Sequence, residues 1–204
     1  MPTTNKIKKL YNGCCVDYDK HMRVTGHYTA QRRILKLLIK NIEEPILDLA
    51  CGSGFLIKLL SKNFKDIVGN DFSDAMTKLA GKKSKTTITC DNAETLKTYK
   101  HKFKTIISCN LFFYLQHQDK AIKRWRKILH NNGQIIFIEE HPFVKPKSKE
   151  MDNHTKELMS LINPISPAKI SKLMTKNGFI LTKEVKTKID NKHDLYGLIF
   201  SLKK

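Results

Sequence analysis

The sequence predicts an α/β fold in which a mostly parallel sheet carries helices on both faces, and three observations indicate it. Strand-like and helix-like segments alternate between residues 44 and 140, a pattern typical of parallel strands joined by helical crossovers. The strand-like segments are nearly all apolar, as strands buried on both faces are. The last two, 179–189 and 195–203, are separated by only DNKHD, and so short a connection joins antiparallel strands.

Helices are predicted where apolar residues recur at helical spacing and capping residues flank the run. In residues 55–64 this spacing puts Phe55, Leu56, Leu59 and Leu60 on one face. Ser73 is a good N-cap for the helix over 73–83, and Ser-Pro opens the helix that closes at Gly178. The predicted helices are 29–40, 55–64, 73–83, 118–130 and 166–178, with 4–22 as a further helix or a semi-ordered lid.

Strands are predicted in the apolar and β-branched runs between these helices. The NNG segment at 131–133 is interpreted as a break between the helix over 118–130 and the next strand. Residues 142–165 are interpreted as an insertion after the fifth strand. The predicted strands are 44–50, 66–71, 85–90, 103–109, 134–140, 179–189 and 195–203.

Length and composition indicate one globular domain. The 204 residues contain 40% hydrophobic and 28% charged residues, with no apolar run of membrane-spanning length. Residues 1–12 lack the apolar segment of a secretory signal, so we expect a cytoplasmic location without membrane insertion. The cysteine count is five, an odd number, and no Cys-x-x-Cys pair occurs. We therefore expect neither a disulfide framework nor a metal site.

The formal net charge of +19 has two interpretations. A basic surface attracts anionic partners such as RNA. However, lysine greatly outnumbers arginine, and the lysines are spread along the chain rather than gathered in one tail. Such a distribution is also what AT-rich coding produces, so nucleic-acid binding is the less favoured alternative.

The stretch ILDLACGSGF, residues 46–55, is the clearest candidate for a binding site. In an open parallel sheet, ligands bind beyond the carboxyl ends of the strands. Gly52 and Gly54 allow the backbone to approach a ligand closely, and the amides at the start of the next helix attract anions. Asp48 lies in the strand just before this turn. Singly, each residue also has a structural explanation as a turn glycine or a strand acid.

Two ligand classes fit such a glycine turn, dinucleotides and S-adenosylmethionine. The dinucleotide pattern G-x-G-x-x-G fails because its third glycine position is Ile57. A pyrophosphate would also be repelled by Asp48, whereas a methionine ammonium group would be attracted by it. Asp71 ends the second strand, where a carboxylate can accept hydrogen bonds from both ribose hydroxyls. These residues favour S-adenosylmethionine.

Several motifs together resemble the class I S-adenosylmethionine-dependent methyltransferases, in particular the methyltransferase type 11 group. LDLACGSG is similar to the family's first motif, VGNDFSDAM to the second and CDNAETL to the third. FKTIISCNLFFYLQH and LHNNGQIIFIEEHPF resemble the later motifs. The resemblance implies a Rossmann-like seven-stranded, mostly parallel sheet in the order 3-2-1-4-5-7-6, with the last strand antiparallel. It covers residues 44–140 best and the flanks weakly.

The resemblance also implies a cofactor site. Where the family usually has Gly-Asp-Ala beside the adenine, this chain has Asp91-Asn92-Ala93, so either Asp91 or Asn92 meets the exocyclic amine. The implied cofactor-binding residues are Asp48, Leu49, Ala50, Cys51, Gly52, Ser53, Gly54, Asp71, Phe72, Met76, Asp91, Asn92, Ala93 and Asn110.

Methyl transfer to a hydroxyl or an ammonium group requires removal of a proton. His141, in a Glu-His-Pro ending similar to that of some type 11 relatives, and His117 are the candidate catalytic residues. Solvent exposure at a helix start is the alternative explanation of His117. Cys109 is not preceded by the proline of the Pro-Cys pair found in cytosine-5 methyltransferases. The segment SCNLFFY also lacks the signature of enzymes that methylate amino groups in nucleic acids. Both absences favour a small-molecule acceptor.

We therefore expect one methyltransferase domain over residues 1–204 that acts on a small molecule, as a monomer or homodimer. Its expected parts are a helical lid (1–43), a cofactor-binding core (44–140), an insertion (142–165) and a C-terminal helix with a strand pair (166–204). The alternatives are an RNA or protein methyltransferase that uses its basic surface, and a cofactor-binding module with little activity.

Overall fold

The computed structural model describes residues 2–100, 102–142 and 153–203. The helices in these ranges are α1 (Pro2–Cys14), α2 (Tyr18–Val24), α3 (His27–Leu38), α4 (Phe55–Leu60), α5 (Asp74–Ser84), α6 (Gln118–Lys127), α7 (Asn153–Leu161) and α8 (Pro167–Lys176). The strands are β1 (Ile46–Leu49), β2 (Ile67–Asp71), β3 (Ile88–Cys90), β4 (Phe103–Cys109), β5 (Leu129–His141), β6 (Phe179–Lys188) and β7 (Asp194–Leu202). Short 3₁₀ turns follow α3 and β4.

The seven strands form a single sheet in the order β3-β2-β1-β4-β5-β7-β6. Strands β1 to β5 pair in parallel, and β7 is antiparallel to both of its neighbours, β5 and β6. The predicted fold class, strand order and reversed last strand are therefore confirmed. This order brings the carboxyl ends of β1, β2 and β4 together, so the polar residues that follow those strands meet at one edge.

The core consists of two apolar layers, one on each face of the sheet. Because side chains alternate along a strand, Leu47 and Leu49 enter the layer that contains α6 and α8, whereas Ile46 enters the layer beneath α3 and α4. Trp125 is fully buried in the first layer, where its indole N–H donates to the carbonyl of Ala93 at 2.8 Å. Asp48 leaves β1 on the α3 side and interrupts an otherwise apolar strand.

Two predicted boundaries were wrong. The helix predicted over 55–64 ends at Leu60; Leu56 and Leu60 of its predicted face are buried, but Ile57 is buried in place of Phe55 and Leu59. The NNG segment does not break the chain between α6 and the strand, because β5 already begins at Leu129. The pairing of β5 with β4 jumps from Leu129 to Gln134, so the extra residues bulge out of the ladder.

The N-terminal region is helical, as predicted, and is divided between α1 and α2. The predicted insertion, 142–165, contains α7; its residues 143–152 lie outside the described residues. Across the described parts of the chain, no helix combines the length and the hydropathy that a membrane span requires.

Candidate functional site

The turn between β1 and α4 has a backbone that only certain residues tolerate. Ala50, Gly52 and Gly54 all have positive φ angles, of 58°, 54° and 80°. A Cβ built on Gly54 would lie 3.2 Å from the Cα of Ala80 in α5, so this position requires glycine for space as well as for conformation. The contact of Gly54 is therefore with α5, and the predicted approach of a ligand to the two glycines stays a prediction.

Asp48 is a carboxylate buried without compensation. It is only 1% exposed, and neither carboxylate oxygen has a hydrogen-bond partner among the described residues. Burial raises the pKa of Asp48 from 3.8 to about 8, with a smaller contribution from the nearby charge of Asp71. Packing alone does not favour such a group, whereas a positively charged ligand would compensate it.

Asp71, at the end of β2, ties the glycine turn to the start of α5. One of its carboxylate oxygens accepts from the Gly52 amide at 2.8 Å, and the other accepts from the Ser73 amide at 2.9 Å. Burial raises the pKa of Asp71, although these two hydrogen bonds oppose the shift. The two carboxylates, Asp48 and Asp71, therefore lie on adjacent strands around one turn.

The loop after β3 is organised by Asp91. Its carboxylate accepts from the Asn92 amide at 2.7 Å and from the Thr98 amide and hydroxyl, both at 2.9 Å. The side-chain carbonyl of Asn92 accepts from the Glu94 amide at 2.8 Å. The Asp91 side chain thus accepts three hydrogen bonds within the loop, whereas the Asn92 side chain accepts one from the described residues. Of the two candidates for the adenine amine, Asn92 is the less committed side chain.

Asp48 and the glycine turn border a cavity of about 370 Å³, a volume that includes the open space at its mouth. Asp71, Asp91 and Asn92 are not among its lining residues. Its lining comes from α2, α3, α4, the glycine turn and the end of β4: Tyr18, Met22, Tyr28, Gln31, Asp48, Ala50, Cys51, Gly52, Ser53, Phe55, Leu56, Cys109 and Asn110. Six of the predicted cofactor residues are among them.

The N-terminal helices cover this cavity. Tyr18 lies over the turn, with its hydroxyl oxygen 3.7 Å from a Cβ built on Gly52. The hydroxyls of Tyr11 and Tyr114 are hydrogen-bonded to each other. Asn12 accepts from the Ser73 hydroxyl at 2.6 Å, which attaches α1 to the start of α5. A cover of this kind limits access of water to the glycine turn.

Sequence reasoning did not assign Met22, Tyr28 or Gln31 to the site. Tyr28 donates to Asp19 at 2.6 Å and lies 2.9 Å from the hydroxyl of Ser53, so it links α3 to the glycine turn. The aromatic and charged run over 17–28, which precedes α3, was the available signal. It did not reveal which of these side chains point toward the strand ends.

Some predicted cofactor residues contribute little side-chain surface to the cavity. Leu49 and Met76 are fully buried, and Leu49 packs in the core layer on the opposite face of the sheet from the cavity. Ala93 is buried beneath the α6 layer as well. Phe72 has Lys8 of α1 over its ring, 5.1 Å from the centroid. Only the backbone of Leu49 remains available to a ligand.

The two predicted catalytic histidines lie outside this lining. His117 is exposed at the N-cap of α6, in a groove it shares with Asp119 and Leu173. His141 ends β5, and its ring lies 6.1 Å from that of Tyr196. The structure does not bring either imidazole to the cavity, and their catalytic role stays a prediction.

The end of β5 instead offers Glu139, which points toward the α6 layer. It is 1% exposed, and one oxygen accepts from the amides of Leu111 and Phe112 at 3.1 and 3.0 Å. Its other oxygen has no partner among the described residues. Burial raises the pKa of Glu139 to about 8. Glu139 thereby anchors the loop that carries Asn110, whose φ is 54°.

A comparison with protein families finds one match, and it covers the glycine turn. Residues 47–137 match the family model described as a methyltransferase domain. The matched region runs from β1 to β5 and includes the turn, Asp71 and the Asp91 loop. Residues 1–46 and 138–204, which include the cover and the reversed strand, lie outside it.

Curated relatives are similar at low identity. The malonyl-[acyl-carrier protein] O-methyltransferase of Priestia megaterium is 28% identical over 167 residues, covering 79% of this chain and 61% of that enzyme. The demethylmenaquinone methyltransferase of Thermotoga maritima is 24% identical over 212 residues, covering 89% of this chain and 91% of that enzyme. The chain therefore spans less than two thirds of the first of these enzymes and most of the second.

Among solved structures, the magnesium protoporphyrin IX methyltransferase of Synechocystis PCC 6803 with bound SAH superimposes with a TM-score of 0.72. It is 16% identical in sequence, and the match covers 98% of this chain and 99% of that one. This likeness supports the fold over nearly the whole described chain, including the N-terminal helices and the reversed strand.

Proposed function

We propose that the chain is a class I S-adenosylmethionine-dependent methyltransferase, as its match to a methyltransferase domain over residues 47–137 supports, and that it transfers a methyl group to a small-molecule acceptor. The observation that carries the proposal is Asp48. A buried carboxylate without a partner, beside a bare glycine turn, is suited to a positively charged amino-acid group.

The residues present fit this cofactor. S-adenosylmethionine supplies a methyl group on a positively charged sulfur. Asp48 can hold its ammonium group, and the backbone at Gly52 to Gly54 gives close approach without side-chain collisions. Asp71 still has acceptor capacity for the ribose hydroxyls, since each of its oxygens accepts one backbone hydrogen bond from the described residues.

Two observations favour a small acceptor. The cavity is partly enclosed by Tyr18 and Met22 of α2, a form that encloses small molecules better than polymers. The named relatives are also methyltransferases, and one is named for demethylmenaquinone. The net charge of +19 keeps an RNA substrate as the competing outcome. A cytoplasmic location, a single domain and a monomeric or homodimeric state stay predictions.

The test has two steps. Calorimetric titration with S-adenosylmethionine first measures binding to the wild type, to Asp48→Asn and to Asp66→Asn. Asp66 is exposed, so its variant has the same change of charge away from the site. We expect wild-type affinity for Asp66→Asn and a loss for Asp48→Asn.

Transfer of a labelled methyl group into a small-molecule extract and into total RNA then identifies the acceptor class. Label in the extract supports the proposal. Label in RNA alone, with a steep dependence on salt, would replace the small molecule with a nucleic acid. A wild type that does not bind the cofactor would refute the proposed function as a whole.

A further inference from the structure

The buried face of helix α3 is apolar in its C-terminal half and carries polar side chains in its N-terminal half. Its C-terminal half packs apolar side chains, among them Ile34 and Leu38, over the sheet. In its N-terminal half, His27 and Gln31 are four residues apart and share one face. Gln31 is 4% exposed, and the His27 side chain is 18% exposed. Two polar residues continuing an apolar stripe toward the strand ends are not accounted for by packing.

Both ring nitrogens of His27 are in hydrogen-bonding contact with a neighbouring side chain. The Thr25 hydroxyl can donate to the carbonyl of His21 at 2.8 Å. Its oxygen also lies 2.7 Å from Nδ1 of His27, a contact in which either atom can be the donor. Nε2 of His27 lies 3.1 Å from Oε2 of Glu140. A carboxylate only accepts hydrogen bonds, so with Glu140 as a carboxylate Nε2 of His27 is the donor in this contact.

Glu140 and His27 are not lining residues of the cavity, but Glu140 contacts one that is. Its backbone amide donates to the side-chain carbonyl of Asn110 at 3.0 Å, and Asn110 lines the cavity beside Cys109. In the sheet order, β5 lies on the far side of β4 from β1, β2 and β3. The residues proposed to hold the cofactor mostly follow β1, β2 and β3. The end of β5 is therefore the side from which an acceptor would face the cofactor.

We propose that Glu140, oriented by His27, receives the proton that the acceptor loses, and that the acceptor atom is an oxygen or nitrogen bearing hydrogen. This inference rests on the proposed function. A lone pair of the acceptor forms the new bond to the methyl carbon, while the carbon–sulfur bond breaks with its electrons moving to sulfur. The acceptor's proton passes to the carboxylate of Glu140. His27 acts as a positioning residue because it holds Oε2 of Glu140. The other carboxylate oxygen of Glu140, Oε1, is left for the acceptor.

The first experiment does not depend on turnover. Nitrogen NMR of the histidine rings in the full chain reports which ring atoms carry hydrogen. We expect a protonated Nε2 on His27, assigned by its loss in His27→Gln, and a changed Nε2 signal in Glu140→Gln. An Nε2 without hydrogen, or an Nε2 signal insensitive to Glu140→Gln, would overturn the pairing.

The second experiment identifies the atom that is methylated. The enzyme is incubated with a small-molecule extract and cofactor labelled with ¹³C in the methyl group, and the carbon chemical shift of the product is read. A methyl group on oxygen or nitrogen supports the inference. A methyl group on sulfur or carbon overturns it, although the proposed function stands.

The third experiment compares Glu140→Gln and His27→Gln with His193→Gln. His193 also pairs with a carboxylate, Asp190, at 2.7 Å, but in the turn between β6 and β7. We expect Glu140→Gln to lower turnover by roughly 10²-fold or more, with the dissociation constant of the cofactor unchanged. His27→Gln should lower turnover less, since its amide can still donate to Glu140, and His193→Gln should not change it. Undiminished turnover in Glu140→Gln, with cofactor binding intact, would refute the proton role alone.

Discussion

Replacing Asp48 with asparagine should stabilise the cofactor-free protein at high pH while weakening cofactor binding. The reason is the raised pKa of Asp48, about 8 compared with 3.8. Between those two pH values the folded state keeps the proton and the unfolded state releases it. The free energy of unfolding therefore falls as pH rises, until the folded carboxyl also ionises near pH 8.

The size of the effect follows from the shift. Each pH unit within that interval removes about 1.4 kcal/mol, so the step from pH 6 to pH 8 costs roughly 2 to 3 kcal/mol. An asparagine does not titrate. Relative to the wild type, the free energy of unfolding of Asp48→Asn should therefore rise by that amount between pH 6 and pH 8. It should also bind the cofactor roughly 10- to 100-fold more weakly, because it loses a charged hydrogen-bond acceptor.

Urea unfolding at pH 6, 7 and 8 measures the first effect, and calorimetry at pH 8 measures the second. Asp66→Asn, an exposed carboxylate, is the control and should follow the pH dependence of the wild type. Parallel pH profiles for Asp48→Asn and the wild type would show that Asp48 is not held protonated in the folded state. Wild-type cofactor affinity in Asp48→Asn would separate this carboxylate from binding.

The remaining predictions concern the turn and the neighbouring acids. Gly54→Ala should cost roughly 1 to 3 kcal/mol of stability, from its left-handed φ and the 3.2 Å approach to Ala80. Gly81→Ala, in a helix with no atom within 4 Å of the new Cβ, should gain roughly 0.5 to 1 kcal/mol; equal urea midpoints would contradict both. Asp71→Ala should weaken cofactor binding at least roughly 10-fold in calorimetry, and unchanged affinity would mean that the ribose lies elsewhere. Glu139→Gln should flatten the fall in stability between pH 6 and pH 8, because its pKa of about 8 has the same sign of linkage; an unchanged slope would argue against a protonated Glu139.

The fold was largely predictable from local patterns. Apolar strands separated by helices specify a parallel sheet, and the short link between β6 and β7 specifies the reversed strand. The NNG segment was misinterpreted because a glycine near two asparagines resembles a turn. In the structure Leu129, before that segment, already pairs with Phe103 of β4, a long-range contact that no local pattern reveals.

The candidate site could be predicted only where its residues directly follow a predicted strand in the sequence. The glycine turn and Asp71 follow directly from the ends of β1 and β2 and could be located in sequence. Gln31 and His27 could not, because a polar residue in an amphipathic helix is normally assigned to its exposed face. Only the packing of α3 on the sheet, with His27 against Glu140 of β5, brings this pair toward the sheet edge.

The central claim is that the uncompensated carboxylate of Asp48 and the glycine turn together receive the cofactor. The most direct measurement is a crystal structure of the wild-type chain grown with S-adenosylhomocysteine. The account predicts the ligand's ammonium group within hydrogen-bonding distance of Asp48 and its ribose hydroxyls on Asp71. A ligand bound elsewhere, or bound in this cavity with no contact to Asp48, would contradict it.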